Sequence, residues 1–242
     1  MKNTDFLRNY ANVSSTIDAL GVSSNLINYI ELCTFEENRA LKNTLSLNKA
    51  RAVIKKTQFL NNRANERTKN LFVGFSEVNI TDCTFRSPIL NNPKKAVLLE
   101  NTMGSFIFAI LDVKMIITRS AFLNGLSSYG GAIYVSGTSD LTVEESTFSG
   151  NYAGVNGGVL YGAGFNSIKF TKKTKLTNNL AISQGDDFFL ANTDEAFEMD
   201  EVEIQNPQAR NSIHAEYIQV KLNRVSITNI NKNEKSEQGA AL

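Results

Sequence analysis

The strongest constraint on this chain is an internal repeat. An alternating apolar segment, a two-residue step, a small side chain and an aromatic anchor recur as AVIKKTQF ending at Phe59, VNITDCTF at Phe85, MIITRSAF at Phe122 and LTVEESTF at Phe148. Looser copies end at Phe35, Ile204 and Ile227, and Leu176 fits with a one-residue slip after Ile168 and Phe170. Counting Phe6 as the first anchor, successive anchors are 29, 24, 26, 37, 26, 28, 28 and 23 residues apart. A period of this size marks a solenoid, in which each unit is too small to bury its own apolar face and must stack on the next.

The local pattern decides which solenoid. Alternation with a period of two, rich in Val, Ile, Thr and Phe and broken by Asn, Gly and Ser, is strand-and-turn chemistry; helical repeats need apolar residues at three-to-four spacing over longer runs. A leucine-rich frame is missing. The expected fold is therefore all-β: a right-handed parallel β-helix of about nine rungs, each of 23–29 residues, with one longer insertion. At about 4.8 Å per rung the rod is roughly 40 Å long. Residues 1–242 are read as a single domain, with 86–114 as a protruding loop, an extra short rung being the alternative there. The span from Arg39 to Ala52 is left as coil within one period.

The recurring residues then acquire roles. The anchors point inward and stack on their counterparts. A second signature, Phe-x-x-Asn, places Asn9, Asn38, Asn62 and Asn151 three residues after an anchor, and Asn179 follows Leu176 in the same way. Asn tolerates left-handed backbone angles and its amide can bond a copy of itself in a ladder, so these positions are assigned to the turns. The Gly130-Gly131 and Gly157-Gly158 pairs suit corners that need positive φ. Cys33 and Cys83 share a frame position with Thr57 between them, which puts them beyond the reach of a disulfide, about 7 Å, and makes them small inward thiols.

Composition removes several functional classes. With 25 basic and 24 acidic residues, the chain has no net field to hold nucleic acid or an anionic membrane. The longest apolar-leaning run, Met103 to Leu111, is about half the length needed to cross a bilayer. The first residues carry no apolar signal-like stretch. Two cysteines and one histidine argue against a disulfide framework and against a zinc cage of Cys and His. The first residues also read as the second half of a rung and Gln238 to Leu242 as the beginning of another corner, so the chain is expected to be a segment of a longer solenoid.

The Gly130-Gly131-Ala132-Ile133 run, with Phe148 to Asn151, resembles the paired GGAI and FxxN motifs of the polymorphic outer membrane proteins, which are placed among the pectin-lyase-like right-handed β-helices. The resemblance covers nearly the whole chain and includes a near copy at Gly157-Gly158-Val159-Leu160. It implies a surface or adhesion module of passenger type, without catalysis and without a cofactor.

Because that superfamily also holds polysaccharide lyases and hydrolases, acidic pairs must be weighed. Gly185-Asp186-Asp187 resembles part of a polygalacturonase pattern, in which two carboxylates act as general acid and base. However, Asn179 stands near where an acidic residue belongs, and His214 lacks glycine neighbours. The competing reading aligns Gly185 to Phe189 on Gly157 to Tyr161 as an ordinary corner. Asp194, Glu195, Glu198, Asp200, Glu201 and Glu203 are numerous enough for a calcium cluster but are read as a solvated acidic face. Lys55-Lys56 and Lys172-Lys173 are read as solvated corners, and Asn12 and Asn79 lie in glycosylation sequons.

The candidate binding residues are Tyr134, Tyr161, Phe189 and His214. If Ile133, Leu160, Phe188 and Ile213 point inward, these four point outward on consecutive rungs. They could receive a sugar ring or a protein partner, or stack on one another. The expected function is a non-enzymatic structural, adhesion or scaffold module that presents a lateral surface to protein or glycan. The alternative is a lyase or hydrolase using Asp186 and Asp187. The expected location is the cell surface or extracellular space as part of a larger protein, or else an intracellular assembly.

Overall fold

The computed structural model describes residues 1–11, 15–20, 26–66, 68–93, 95, 102–193, 195–206 and 211–228. Through them the chain winds as a parallel β-solenoid with three main faces. One rung runs through Leu45–Asn48 on the first face, Arg51–Lys55 on the second, Gln58–Leu60 on the third and the short corner strand Arg63–Ala64, then returns to the first face at Leu71–Gly74. The first and second faces are eight-stranded sheets and the third, which carries the anchors, has nine strands. Arg39 to Ala52, left as coil because it lies inside one period, includes the strands Arg39–Ala40 and Leu45–Asn48, because pairing with the rungs on either side overrides local propensity.

All nine expected anchors occupy this third sheet, one above another. The rings of Phe6, Phe35, Phe59, Phe85, Phe122 and Phe148 form a column of near-parallel pairs 4.7–4.8 Å apart, and Leu176, Ile204 and Ile227 continue it. Each fully buried Phe contributes about 1.5–3 kcal/mol by removal from water, with about 0.5–1.5 kcal/mol more per favourable ring pair. The column passes directly from Phe85 to Phe122, so the 37-residue interval adds no rung. The insertion is narrower than 86–114. Ile107–Ile110 and Lys114–Thr118 are regular strands, which places the additional residues between Arg86 and Ile107.

The corners follow one rule. Each rung turns at residues with positive φ, and these are mostly not glycine: Lys49, Lys56 and Asn61 do so in one rung, and Phe75 and Asp82 in the next. A left-handed residue other than Gly costs about 1–2 kcal/mol. Where the matching residue of the adjacent rung carries a side-chain oxygen, that oxygen receives the N–H of the peptide that follows. At the step before the anchors, Cys33 N–H donates to Thr57 Oγ1, Cys83 N–H to Ser120 Oγ and Ser120 N–H to Ser146 Oγ (3.4, 3.1 and 3.1 Å). Between the first two faces, Ala50 N–H donates to Ser76 Oγ and Val113 N–H to Ser139 Oγ (3.0 and 3.2 Å). The small polar residue of the repeat is thus a cap for its neighbour's backbone.

After the anchors the cap is asparagine, and here the expectation is half right. The left-handed residues are those two positions after the anchor, among them Arg8, Glu37, Asn61, Asn124 and Asn178. The asparagine one position later forms the ladder, buried at Asn38, Asn62, Asn151 and Asn179 and exposed at Asn9 in the first rung. Asn38 N–H and Nδ2 both donate to Asn62 Oδ1 (2.9 and 3.0 Å), and Asn151 N–H and Nδ2 both donate to Asn179 Oδ1 (3.0 Å each). The same amides also donate to anchor carbonyls, as from Asn62 Nδ2 to Phe35 O at 2.9 Å. Asn is selected for its two-sided hydrogen bonding rather than for its backbone tolerance.

The slip before Leu176 is absorbed by two consecutive left-handed residues, Lys172 and Lys173. Gly130 and Gly157 have positive φ as expected. Their partners Gly131 and Gly158 are required by close approach: a Cβ there would lie 2.0 Å from the Gly158 and Asp186 carbonyl oxygens, respectively. Cys33 and Cys83 are buried free thiols, and burial pushes that of Cys83 up to about 11.

Candidate functional site

The outward residues of the first face form the column the alignment predicts. Tyr134 pairs in register with Tyr161, Tyr161 with Phe189 and Phe189 with His214, while Ile133, Leu160, Phe188 and Ile213 are buried beneath them. The four rings lie nearly parallel with centroids 5.1 Å apart at each step. Phe108 and Phe72 extend the column on the other side at 5.1 and 5.9 Å, with tilted rings. Those two were not recognised from sequence, although the doublets Leu71-Phe72 and Ile107-Phe108 carry the same inward-outward pattern as Ile133-Tyr134.

The stacking geometry limits what this column can do. Rings spaced at the rung repeat and parallel to one another turn their faces along the rod axis, toward each other, and leave edges for solvent. Phe189 is buried, and Tyr129 packs edge-on against Tyr161 at 5.3 Å. Burial raises the Tyr161 hydroxyl above its ordinary pKa, with Tyr134, Tyr129 and Glu216 adding to the effect. At the upper end the His214 ring is held between Glu216 Oε1 (2.8 Å from Nε2) and Asn211 Nδ2 (3.4 Å from Nδ1). A flat sugar thus finds ring edges and phenol hydroxyls here, not an open face. Beside Phe72 the column gives way to Ser46 and Asp18, which border a hollow of about 330 Å³ together with Lys42, Asn48 and Phe75.

Asp186 and Asp187 are both buried in a corner. Asp187 accepts hydrogen bonds from Ser212 Oγ (2.7 Å) and Asn179 Nδ2 (2.9 Å), and Asp186 Oδ1 accepts one from the Ala181 N–H (3.3 Å). Burial pushes the Asp187 carboxyl up to about 7 against the opposing pull of its two donors, with the Asp186 charge adding to the rise. Phe188 and Phe189 pair with Leu160 and Tyr161, so the corner reading of this segment describes its place. Asp187 also has a counterpart: Asn62 Nδ2 donates to Asn70 Oδ1 at 2.9 Å over the same eight-residue separation that links Asn179 to Asp187. The carboxylate is the end-stop of an asparagine ladder.

The acidic residues from Glu195 to Glu203 lie on the second and third faces of one rung, and four of them, Glu198, Asp200, Glu201 and Glu203, are paired with cations on neighbouring rungs. Glu198 meets Lys169 (2.8 Å) and Lys221 (3.3 Å), Glu203 meets Lys175 (3.3 Å), and Arg224 bridges Asp200 (2.9 Å) and Glu201 (3.3 Å). Among the described residues no group of three or more acidic, Cys or His side chains converges as a metal site would require. Asp194 lies outside the described residues, as does the sequon at Asn12, whereas Asn79 is exposed on the second face. Lys172 reaches Glu144 at 2.9 Å. No described helix is long and apolar enough to cross a membrane. The fold defines the class of protein as a parallel β-solenoid. Compared with family models, curated proteins and solved structures, the chain finds no match.

Proposed function

We propose that this chain is a non-catalytic rod module of a larger surface, adhesion or scaffold protein, and that its flank engages a protein or glycan partner. The observation that carries this reading is the fate of the acidic pair. Asp186 and Asp187, the residues nearest to a glycosidase dyad in sequence, are buried and spend their oxygens on Ala181, Asn179 and Ser212. A general acid and base must reach a substrate oxygen or a water, and these carboxylates are turned into the corner. The stacked rings, the capped turns and the ion pairs that cross from rung to rung favour a stiff spacer with a constant lateral surface.

The test sets the whole chain against neutral and acidic polysaccharides, following new reducing ends and unsaturated products, alongside the variant carrying Asp186→Asn and Asp187→Asn together. The reading predicts no cleavage by either protein and saturable retention of a protein or glycan ligand. Cleavage by the parent chain that the folded double variant loses would establish the enzymatic alternative instead.

A further inference from the structure

We propose that Arg39 and Arg63 form a binding site for a doubly charged tetrahedral oxyanion, a phosphate or sulfate group. The two arginines are paired in register on adjacent strands of the corner sheet, with Tyr10 next in the column. Both side chains are exposed, and neither has an ion-pair partner among the described residues. Elsewhere on the rod, cations are set against carboxylates of the neighbouring rung: Arg8 on Glu37 (2.9 Å), Arg51 on Glu77 (3.0 Å), Arg119 on Asp82 (2.8 Å) and Lys175 on Glu203 (3.3 Å). At Arg39 and Arg63 a cation is set against a cation. Like charges directly opposite on paired strands repel, and an anion shared between them turns that repulsion into two attractive contacts.

The surroundings are shaped for such an anion. Hollows of about 300 and 470 Å³ lie on the two sides of this row, and Tyr10, Arg39 and Arg63 border both. Asn61 and Pro88 wall the larger one, where Pro88 begins the inserted segment. Glu37 also borders it, but its carboxylate is engaged by Arg8 Nε at 2.9 Å. Tyr10, 72% exposed, leaves a phenol hydroxyl free to donate. Two guanidinium forks about 4.8 Å apart at their backbones can each give two N–H bonds to one tetrahedral group. A planar carboxylate carries one charge and two oxygens and satisfies only one fork, which favours phosphate or sulfate.

The experiment follows the guanidinium Nε resonances of isotope-labelled protein during titration with inorganic phosphate near neutral pH, with O-phosphoserine and acetate as parallel arms. The proposal predicts that the Arg39 and Arg63 signals shift together and saturate, and that acetate binds more weakly. Arg39→Gln and Arg63→Gln should each weaken phosphate binding by about tenfold or more, as loss of a charge-assisted bidentate contact implies. Arg51→Gln should leave it unchanged. Tighter binding of phosphoserine than of phosphate assigns the site to a phosphate ester, and the reverse order assigns it to the free anion. Without anion, both glutamine variants should melt no lower than the parent, because the mutual repulsion is gone. Shifts that never saturate, or an affinity indifferent to both substitutions, would overturn the proposal.

Discussion

The solenoid carries two asparagine ladders, one on each side of the insertion, built alike and ended differently. The first runs from Asn9 through Asn38 to Asn62 and stops on Asn70; the second runs from Gly125 through Asn151 to Asn179 and stops on Asp187. In each, the next residue in the frame is proline, Pro88 or Pro207, which has no side-chain amide to offer. The ladder therefore turns onto a residue eight positions further along the same rung. A neutral amide closes the first and a carboxyl with its pKa near 7 closes the second. The two ladders thus differ at their ends by an amide against a carboxyl, and only the second end carries a titratable group.

The largest effect tests what the two segments share. Phe59→Ala and Phe148→Ala should each cost about 3–5 kcal/mol in denaturant unfolding, because each opens a cavity in the same column. A cost confined to one segment would mean that the column is not continuous. Removing the last asparagine, as Asn62→Ala or Asn179→Ala, should cost about 2–3 kcal/mol in either segment, since a backbone N–H, an amide and an anchor carbonyl each lose a partner. Near-zero loss in both would show that water replaces the ladder.

The ends should then separate the two segments. The folded state holds the Asp187 proton up to about pH 7, whereas the unfolded chain releases it near the ordinary value of 3.8. Between those values the folded state binds more protons, so this group lowers stability as pH rises, with no further change above about pH 7. Asp187→Asn keeps both hydrogen bonds, with Ser212 Oγ now accepting. Equilibrium unfolding should show it equal to the parent near about pH 4 and about 2–4 kcal/mol more stable near about pH 8. Asn70→Asp should transplant the opposite behaviour into the first ladder, because a carboxylate there faces the Ser105 carbonyl that Asn70 Nδ2 now meets at 3.4 Å. Profiles parallel to the parent would remove the distinction between the ladders. The smallest effect belongs to the exposed pairs: Arg119→Ala, which frees Asp82 on the surface, should change stability by less than about 1 kcal/mol.

Much of this was legible in the sequence, for a physical reason. The Phe column and the first-face column are written as side-chain identities at a fixed spacing, and stacking in parallel register converts that spacing into contact, as for Phe59 on Phe85 or Tyr161 on Phe189. The turns were harder. Positive φ falls on Lys56, Arg119 and Glu145, residues with no local preference for it, because inter-rung hydrogen bonds impose it from outside. That displaced the expected left-handed position by one residue, onto the ladder asparagines. The arginine pair was missed for a related reason. Arg39 and Arg63 are 24 residues apart, and only the absence of a carboxylate at the matching place on neighbouring rungs singles them out.

The central claim is that residues about two dozen positions apart are nearest neighbours in a single stack. Through-space contacts between the rings of selectively labelled phenylalanines measure this directly. The structure predicts cross-peaks from Phe59 to both Phe35 and Phe85, whose centroids are 4.8 and 4.7 Å away, and none from Phe59 to Phe122, two rungs up. A Phe59 ring in contact with neither Phe35 nor Phe85 would contradict the fold and everything built on it.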